Sequence, residues 1–161
     1  MSTDLPKGHM DQIGIVVPDL KAAMDAYIAN LGIAFQVFDV DEKTSVFSGS
    51  SASFQIRFAV ALVGSSSIEL IQPVSGVTIY SDVLKTRGPG IHHMGIYVDD
   101  LPQAKKAMEH RGYKARMEGE IHSLGQFSYY DAPDMHCIVE LLHLSLALPL
   151  FLAENATLYT G

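Results

Sequence analysis

Gln12, Glu69, His93 and Glu140 have the types and the placement to do chemistry together. Their placement follows from repetition. HMDQIGIVVPDL at 9–20 returns as GIHHMGIYVDDL at 90–101, which lays Gln12 on His93 and Gly14 on Gly95. IEL at 68–70 returns as VEL at 139–141, which lays Glu69 on Glu140. One imidazole, two carboxylates and an amide oxygen form a hard-to-borderline donor set. It suits Zn²⁺, Ni²⁺, Co²⁺, Mn²⁺ or Fe²⁺, with positions left open for water. A thiolate zinc site is excluded, because Cys137 is the only cysteine.

The elements that must position these groups are legible from pattern. Residues 12–17 and 93–98 alternate as strands. Ile13, Ile15 and Val17 share one face, as do Met94, Ile96 and Val98, so Gln12 with Gly14 and His93 with Gly95 take the other. Glycine weakens a strand and marks close approach, so a cavity is expected on that second face. A lone glutamate between aliphatics would as a rule face solvent. Two at matched places of a repeat, with polar groups at matched first-strand places, favour a shared cleft in which each needs a partner. Helices are expected after Asp19 and Asp100, both good N-caps, ending near Gly32 and Gly112. The first carries an apolar stripe from Leu20 through Ala23, Met24, Tyr27 and Ile28 to Leu31. Strands are expected at 35–40, 54–63 and 67–73, and again at 113–118, 126–132 and 137–143. The second copy is about ten residues shorter. The extra length is assigned to a Ser/Gly-rich loop at 45–53, whose composition fits closure over a ligand and an idle flexible connection equally. Residues 78–88 read as a linking helix.

The bulk properties limit the partners. A chain of 161 residues with 48% hydrophobic and 18% charged residues is globular in character. Net charge −7 without a run of Lys or Arg excludes a nucleic-acid surface. The most apolar run, 144–153, is too short to span a membrane and contains a proline; it is expected to dock on the body or on a second subunit. One cysteine and no apolar leader point to the cytoplasm. His9, His110, His122, His136 and His143 read as surface or loop residues. His9 is close enough to Gln12 to exchange roles after a shift of register, and His122 is placed to line a cleft mouth. Tyr129 and Tyr130 read as buried tyrosines, and Cys137 as a small inert core residue.

DQIGIVVPDL, SIELIQP, GIHHMGIYVDDL and YYDAPDMHCIVELL together resemble the vicinal oxygen chelate superfamily over residues 9–143. That superfamily includes glyoxalase I, methylmalonyl-CoA epimerase, extradiol dioxygenases and bleomycin-resistance proteins. The resemblance implies an α+β fold of two tandem βαβββ modules forming a partly open mixed β-barrel around a central cleft. It implies a single domain over 1–161: module one at about 9–73, linker helix 78–88, module two at about 91–143 and a tail at 144–161. It also implies one divalent metal ion, Zn, Ni, Co or Mn, held by Gln12, Glu69, His93 and Glu140. His92 is expected on the opposite face.

Gln12 stands where a histidine is common, which disfavours the dioxygenase triad of two histidines and a carboxylate. The function implied is an isomerase, epimerase or lyase, methylmalonyl-CoA epimerase-like, moving a proton at a carbon next to a carbonyl. Glu140 is the first choice of base and Glu69 the second. The substrate would be an acyl thioester or a 2-oxo compound, and the assembly a homodimer. The alternatives are glyoxalase I (lactoylglutathione lyase), although Val16, Pro73 and Pro89 stand where glutathione-binding groups would be sought, and a metal-free small-molecule binding or resistance protein.

Overall fold

The structure is a computed structural model and describes residues 8–121 and 125–161. The first repeat folds as β1 (Gly8–Val16), α1 (Leu20–Leu31), β2 (Phe35–Phe47), β3 (Ser50–Val63) and β4 (Ser66–Ser75). Helix α2 (Ile79–Thr86) leads to β5 (Gly90–Val98), α3 (Leu101–His110), β6 (Ala115–Ile121), β7 (Gly125–Ala132) and β8 (Cys137–Leu144). A helix α4 (Leu148–Asn155) and a short β9 (Thr157–Tyr159) follow.

In each repeat the first strand lies parallel to the last, β1 on β4 and β5 on β8, with the other strands in an antiparallel meander. The repeats join through the antiparallel pair β1–β5. On the far side β2 pairs with β3 and also with β6, so the eight strands close into a barrel. That second seam is short: Ser45, Val46 and Phe47 pair with Gly119, Glu118 and Met117.

Local chemistry sets the helix ends. Asp19 accepts a hydrogen bond from the Ala22 amide and Asp100 from the Gln103 amide, capping α1 and α3. Gly32, at φ 67°, ends α1. Helix α1 covers Val17, Ala59, Ala61 and Leu70 on the outer face, and α3 covers Val98, Tyr130, Val139 and Leu141. The barrel interior holds Phe54, Ile56, Phe58, Phe127 and Tyr129.

One expectation is corrected. Residues 45–53 form no ligand-closing loop. They are the end of β2, a two-residue turn at Ser48–Gly49 and the start of β3. Both turn residues have positive φ, 49° and 82°, the geometry of a tight hairpin whose twist matches its strands. Serine and glycine read as loop by composition, yet only two of these residues are needed for the turn. The remainder, with the longer strands, supplies the β2–β6 seam. The apolar tail docks on the body, the first of the two places expected: Leu146, Leu148, Leu152 and Ala156 pack against the interior cluster, and β9 pairs with Phe35–Val37 of β2. No helix among the described residues is long and apolar enough to cross a membrane.

Candidate metal centre

The β1–β5 ladder brings the four candidates into two rows. Gly14 lies between Glu69 on β4 and His93 on β5. Gly95 lies between Gln12 on β1 and Glu140 on β8. Each row is thus a glutamate, a glycine, and the polar group contributed by the other repeat. A methyl on Gly14 would meet the His93 Cε1 at 1.8 Å, and one on Gly95 would meet the Gln12 Oε1 at 2.5 Å. What approaches each glycine is the facing repeat's donor side chain. This sharpens the expectation that glycine marked space for a ligand.

Gln12, His93 and Glu140 are buried, and the Glu69 side chain is 15% exposed. His93 Nε2 stands 3.4 Å from Glu69 Oε2 and 3.2 Å from Glu140 Oε2. One donor atom from each of these three residues lies within 4.8 Å of the others. Two ligands bound at about 2.1 Å to one ion stand roughly 3.0–3.4 Å apart, so these spacings match edges of a coordination shell. Gln12 Oε1, Glu69 Oε2, His93 Nε2 and Glu140 Oε2 are all buried without a hydrogen-bond partner. Beyond the His93–Glu69 and His93–Glu140 contacts none of them is satisfied, and a buried polar atom left so costs about 1–3 kcal/mol. A divalent cation would satisfy those of Glu69, His93 and Glu140, and the donor set fits one. Burial pushes the Glu69 carboxyl up; the bond to His93 works against this and the Glu140 charge adds to it. Burial alone would push His93 down, but Glu140 and Glu69 together hold it up at about 9.

His92 is also at the site, against the expectation that it points to the opposite face. The ladder steps from Gly14–His93 to Ile15–Ile91, leaving His92 as the extra residue of a β-bulge. A bulge breaks the strict alternation and re-aims its side chain. The equivalent step between Met10 and Gln12 makes Asp11 the extra residue of β1. The His92 Nδ1 is 2.9 Å from the His93 Nδ1. Burial, then the neighbouring His93 charge, push His92 down to about 3. In the tautomer in which a neutral His92 accepts on Nδ1 from the His93 Nδ1–H, His93 Nε2 is the nitrogen left to hold a metal.

Tyr80 from α2 and Tyr129 from β7 complete the surroundings. The Tyr80 hydroxyl donates to the Tyr129 hydroxyl at 2.9 Å. The Tyr129 ring meets the His93 ring edge-on at 5.1 Å, and Tyr80 packs on His92 at 5.2 Å. Burial, followed by the Glu140 charge, holds both phenols well above their ordinary pKa, so they remain neutral. Arg116 on β6 pairs with Asp82 of α2 and with Asp131 on β7 at 3.1 Å, tying the helix that carries Tyr80 to the second repeat. A cavity of about 30 Å³, room for one or two water-sized groups, opens between Phe54, Ile56, Phe58, Tyr80, Phe127, Tyr129, Glu69 and Glu140.

The other histidines stand apart. His9, His110 and His136 are exposed, and His143 Nδ1 bonds the Val98 carbonyl at 3.0 Å. His122 lies outside the described residues. Tyr130 faces α3 rather than the cavity, and Cys137 is half-buried. Sequence reasoning missed His92, Tyr80 and the phenylalanine walls. The adjacent histidines were a signal for the first, and the Ile79, Tyr80, Val83 spacing on a short helix a weak one for the second.

Residues 11–130 match the family model of the glyoxalase/bleomycin resistance protein/dioxygenase superfamily. Among curated proteins nothing matches significantly. Among solved structures, a hypothetical protein from Bacillus halodurans superposes with TM-score 0.70 at 19% identity, over 88% of this chain and 97% of its own. Methylmalonyl-CoA epimerase from Mycobacterium tuberculosis gives 0.65 at 24% identity, covering 94% of this chain and 95% of that one. A variant of the Streptomyces coelicolor enzyme in complex with 2-nitronate-propionyl-CoA gives 0.67 at 21% identity, covering 89% and 100%. At such identities these likenesses establish the fold, and the family model establishes the membership. This chain belongs to the glyoxalase/bleomycin resistance protein/dioxygenase, or vicinal oxygen chelate, superfamily.

Proposed function

We propose that the protein is a divalent-metal-dependent isomerase, epimerase or lyase that moves a proton at a carbon next to a carbonyl. The observation that carries this reading is the convergence of buried donor atoms from Glu69, His93 and Glu140, with the unpartnered amide oxygen of Gln12 buried in the adjoining row. A divalent cation held there would polarise a carbonyl oxygen and stabilise the negative charge that develops on it.

The chain's own groups do the rest. Glu140 takes the proton from the carbon beside the carbonyl and returns it, to the opposite face or to the neighbouring atom. Glu69, the more exposed carboxylate, is the second candidate for this duty. His92 holds the His93 ring in one orientation, and the Phe and Tyr walls keep bulk water from the carbanion equivalent. The structural likeness to methylmalonyl-CoA epimerases in complex with 2-nitronate-propionyl-CoA and with methylmalonyl-CoA supports proton transfer of this type. The Gln, Glu, His, Glu set supports glyoxalase I as the second reading.

Solvent-deuterium incorporation tests the proposal. Metal-loaded protein in D₂O should exchange the acidic C–H of a substrate, and Glu140→Gln should slow exchange by roughly 10²–10⁴-fold, the contribution of a general base. Unchanged exchange in Glu140→Gln with metal bound would exclude that role. Turnover of the methylglyoxal–glutathione hemithioacetal would favour glyoxalase I. Absence of bound metal by elemental analysis, with ligand binding intact in His93→Ala, would favour a metal-free binding protein.

A homodimer belongs to the same reading. Met10, Ile13 and Ile91, exposed by 62%, 45% and 76%, lie with Met94 on the outer side of the β1–β5 seam, between the two covering helices. They form a repeat-symmetric apolar strip for a second copy to cover.

A further inference from the structure

The space beside the donor atoms is too small for an organic ligand. The cavity walled by Phe54, Ile56, Phe58 and Phe127 holds about 30 Å³. Pockets that take such ligands run to roughly 300–1,000 Å³. A molecule larger than water therefore enters only if something that fills the interior moves out.

The C-terminal tail fills the interior without being laddered into it. It leaves β8 in the second repeat and returns on β2 in the first, with β7 and β6 between those strands in the sheet. It passes along the inner side. Leu152, 2% exposed, belongs to the same interior cluster as the four cavity walls, and Leu146, Leu148 and Ala156 pack against that cluster. Little else holds α4 there. Its N-cap, Ala147, makes no side-chain hydrogen bond, its first turn has no acidic residue and its last turn no basic one. At eight residues it is too short to persist in water without packing. Beyond α4 the tail changes sides: Tyr159 packs on the outer cluster beneath α1. Its hydroxyl donates to the Asp25 Oδ1 at 2.6 Å, and the Lys21 Nζ stands 2.7 Å from the Asp25 Oδ2 and 5.7 Å from the centre of the Tyr159 ring. With three paired residues of β9, these contacts fasten the end of the tail. Exposed ion pairs of this kind are individually weak, so the fastening is releasable.

We propose that α4 is a displaceable plug in the barrel, latched by β9 and the Tyr159–Asp25–Lys21 contacts, and that a ligand reaches the buried donor atoms when the latch lets go and α4 withdraws. The plug stands on packing alone; that it gates a metal centre rests on the reading above.

A thiol on the full chain reports the plug directly. Leu152→Cys in a Cys137→Ser background, or Leu148→Cys if the first variant does not fold, is treated with N-ethylmaleimide under native conditions. Tyr159→Phe or Asp25→Ala should speed labelling by roughly 2–10-fold, the contribution of one hydrogen bond. For access to the centre, Gln36→Cys with Leu158→Cys, facing partners in the β9 ladder, fastens β9 when oxidised. With Mn²⁺ loaded and Cys137→Ser present, the association rate of acetohydroxamate, read by water-proton relaxation, should fall about tenfold or more on oxidation and recover on reduction. Labelling that neither latch variant accelerates overturns the proposal, as does an association rate that oxidation leaves unchanged. Failure of Mn²⁺ to bind rejects the metal reading instead, and the thiol result then decides the plug by itself.

Discussion

Gly14 and Gly95 are small because His93 and Gln12 lie across them, so an added methyl strikes a donor side chain rather than empty space. Gly14→Ala should therefore cost about 1–3 kcal/mol in denaturant unfolding, the usual range for overpacking. It should also weaken metal binding, measured by calorimetric titration; unaltered affinity would mean that His93 binds nothing. The His93 proton gives a second test at this scale. In the folded, metal-free chain His93 keeps its proton to about pH 9, whereas an unfolded histidine releases it near 6.5. Its contribution to stability is complete below pH 6.5 and lost as pH rises through 9. The raised Glu69 carboxyl acts in the same direction, because the folded chain again binds the proton more readily. The melting temperature of metal-free protein should fall over pH 6.5–9. Metal affinity should climb over the same interval, since binding displaces the proton.

At the scale of elements, the bulge at His92 and the turn at Ser48–Gly49 carry the informative predictions. His92→Phe keeps ring packing on Tyr80 and Tyr129 but removes the acceptor for the His93 N–H. Loss of such a supporting bond lowers metal affinity by about 10–100-fold. His92→Asn, which retains an acceptor, should restore part of it, and equal affinities in all three proteins would assign His92 to packing alone. Ser48 holds φ 49° without the benefit of glycine. Ser48→Asn creates the Asn-Gly pair that such turns prefer and should stabilise the chain by about 0.5–1 kcal/mol, read as a shift in unfolding midpoint.

For the whole molecule, the two repeats share one barrel, and a donor atom comes from each side of every row, so neither repeat holds a complete set. The outer strip of Met10, Ile13 and Ile91 is where the assembly should respond to mutation. Ile91→Asp should halve the mass measured by light scattering towards the 17.5 kDa monomer. A surface change of this kind alters monomer stability by less than about 0.5 kcal/mol. A wild-type mass that is already monomeric would remove the homodimer from the proposal.

The duplicated lines and period-two alternation were enough to determine the two βαβββ units, the capping aspartates and the equivalence of Gln12 with His93 and of Glu69 with Glu140. Those features depend on local chemistry and on residues whose faces follow strict alternation. Tertiary structure decided what alternation cannot encode. A single extra residue at the bulge turned His92 from the expected outer face to the side of His93. The Ser/Gly segment became a closing seam because β6 offered Met117–Gly119 as a partner, which composition does not reveal. Tyr80 reached the cavity from a helix outside the repeat, and the phenylalanines became its walls only when distant strands curved together. The chain thus announced its ligand-type side chains in sequence. The meeting of His93 with both glutamates, one from each repeat, emerged only from the closure of the barrel.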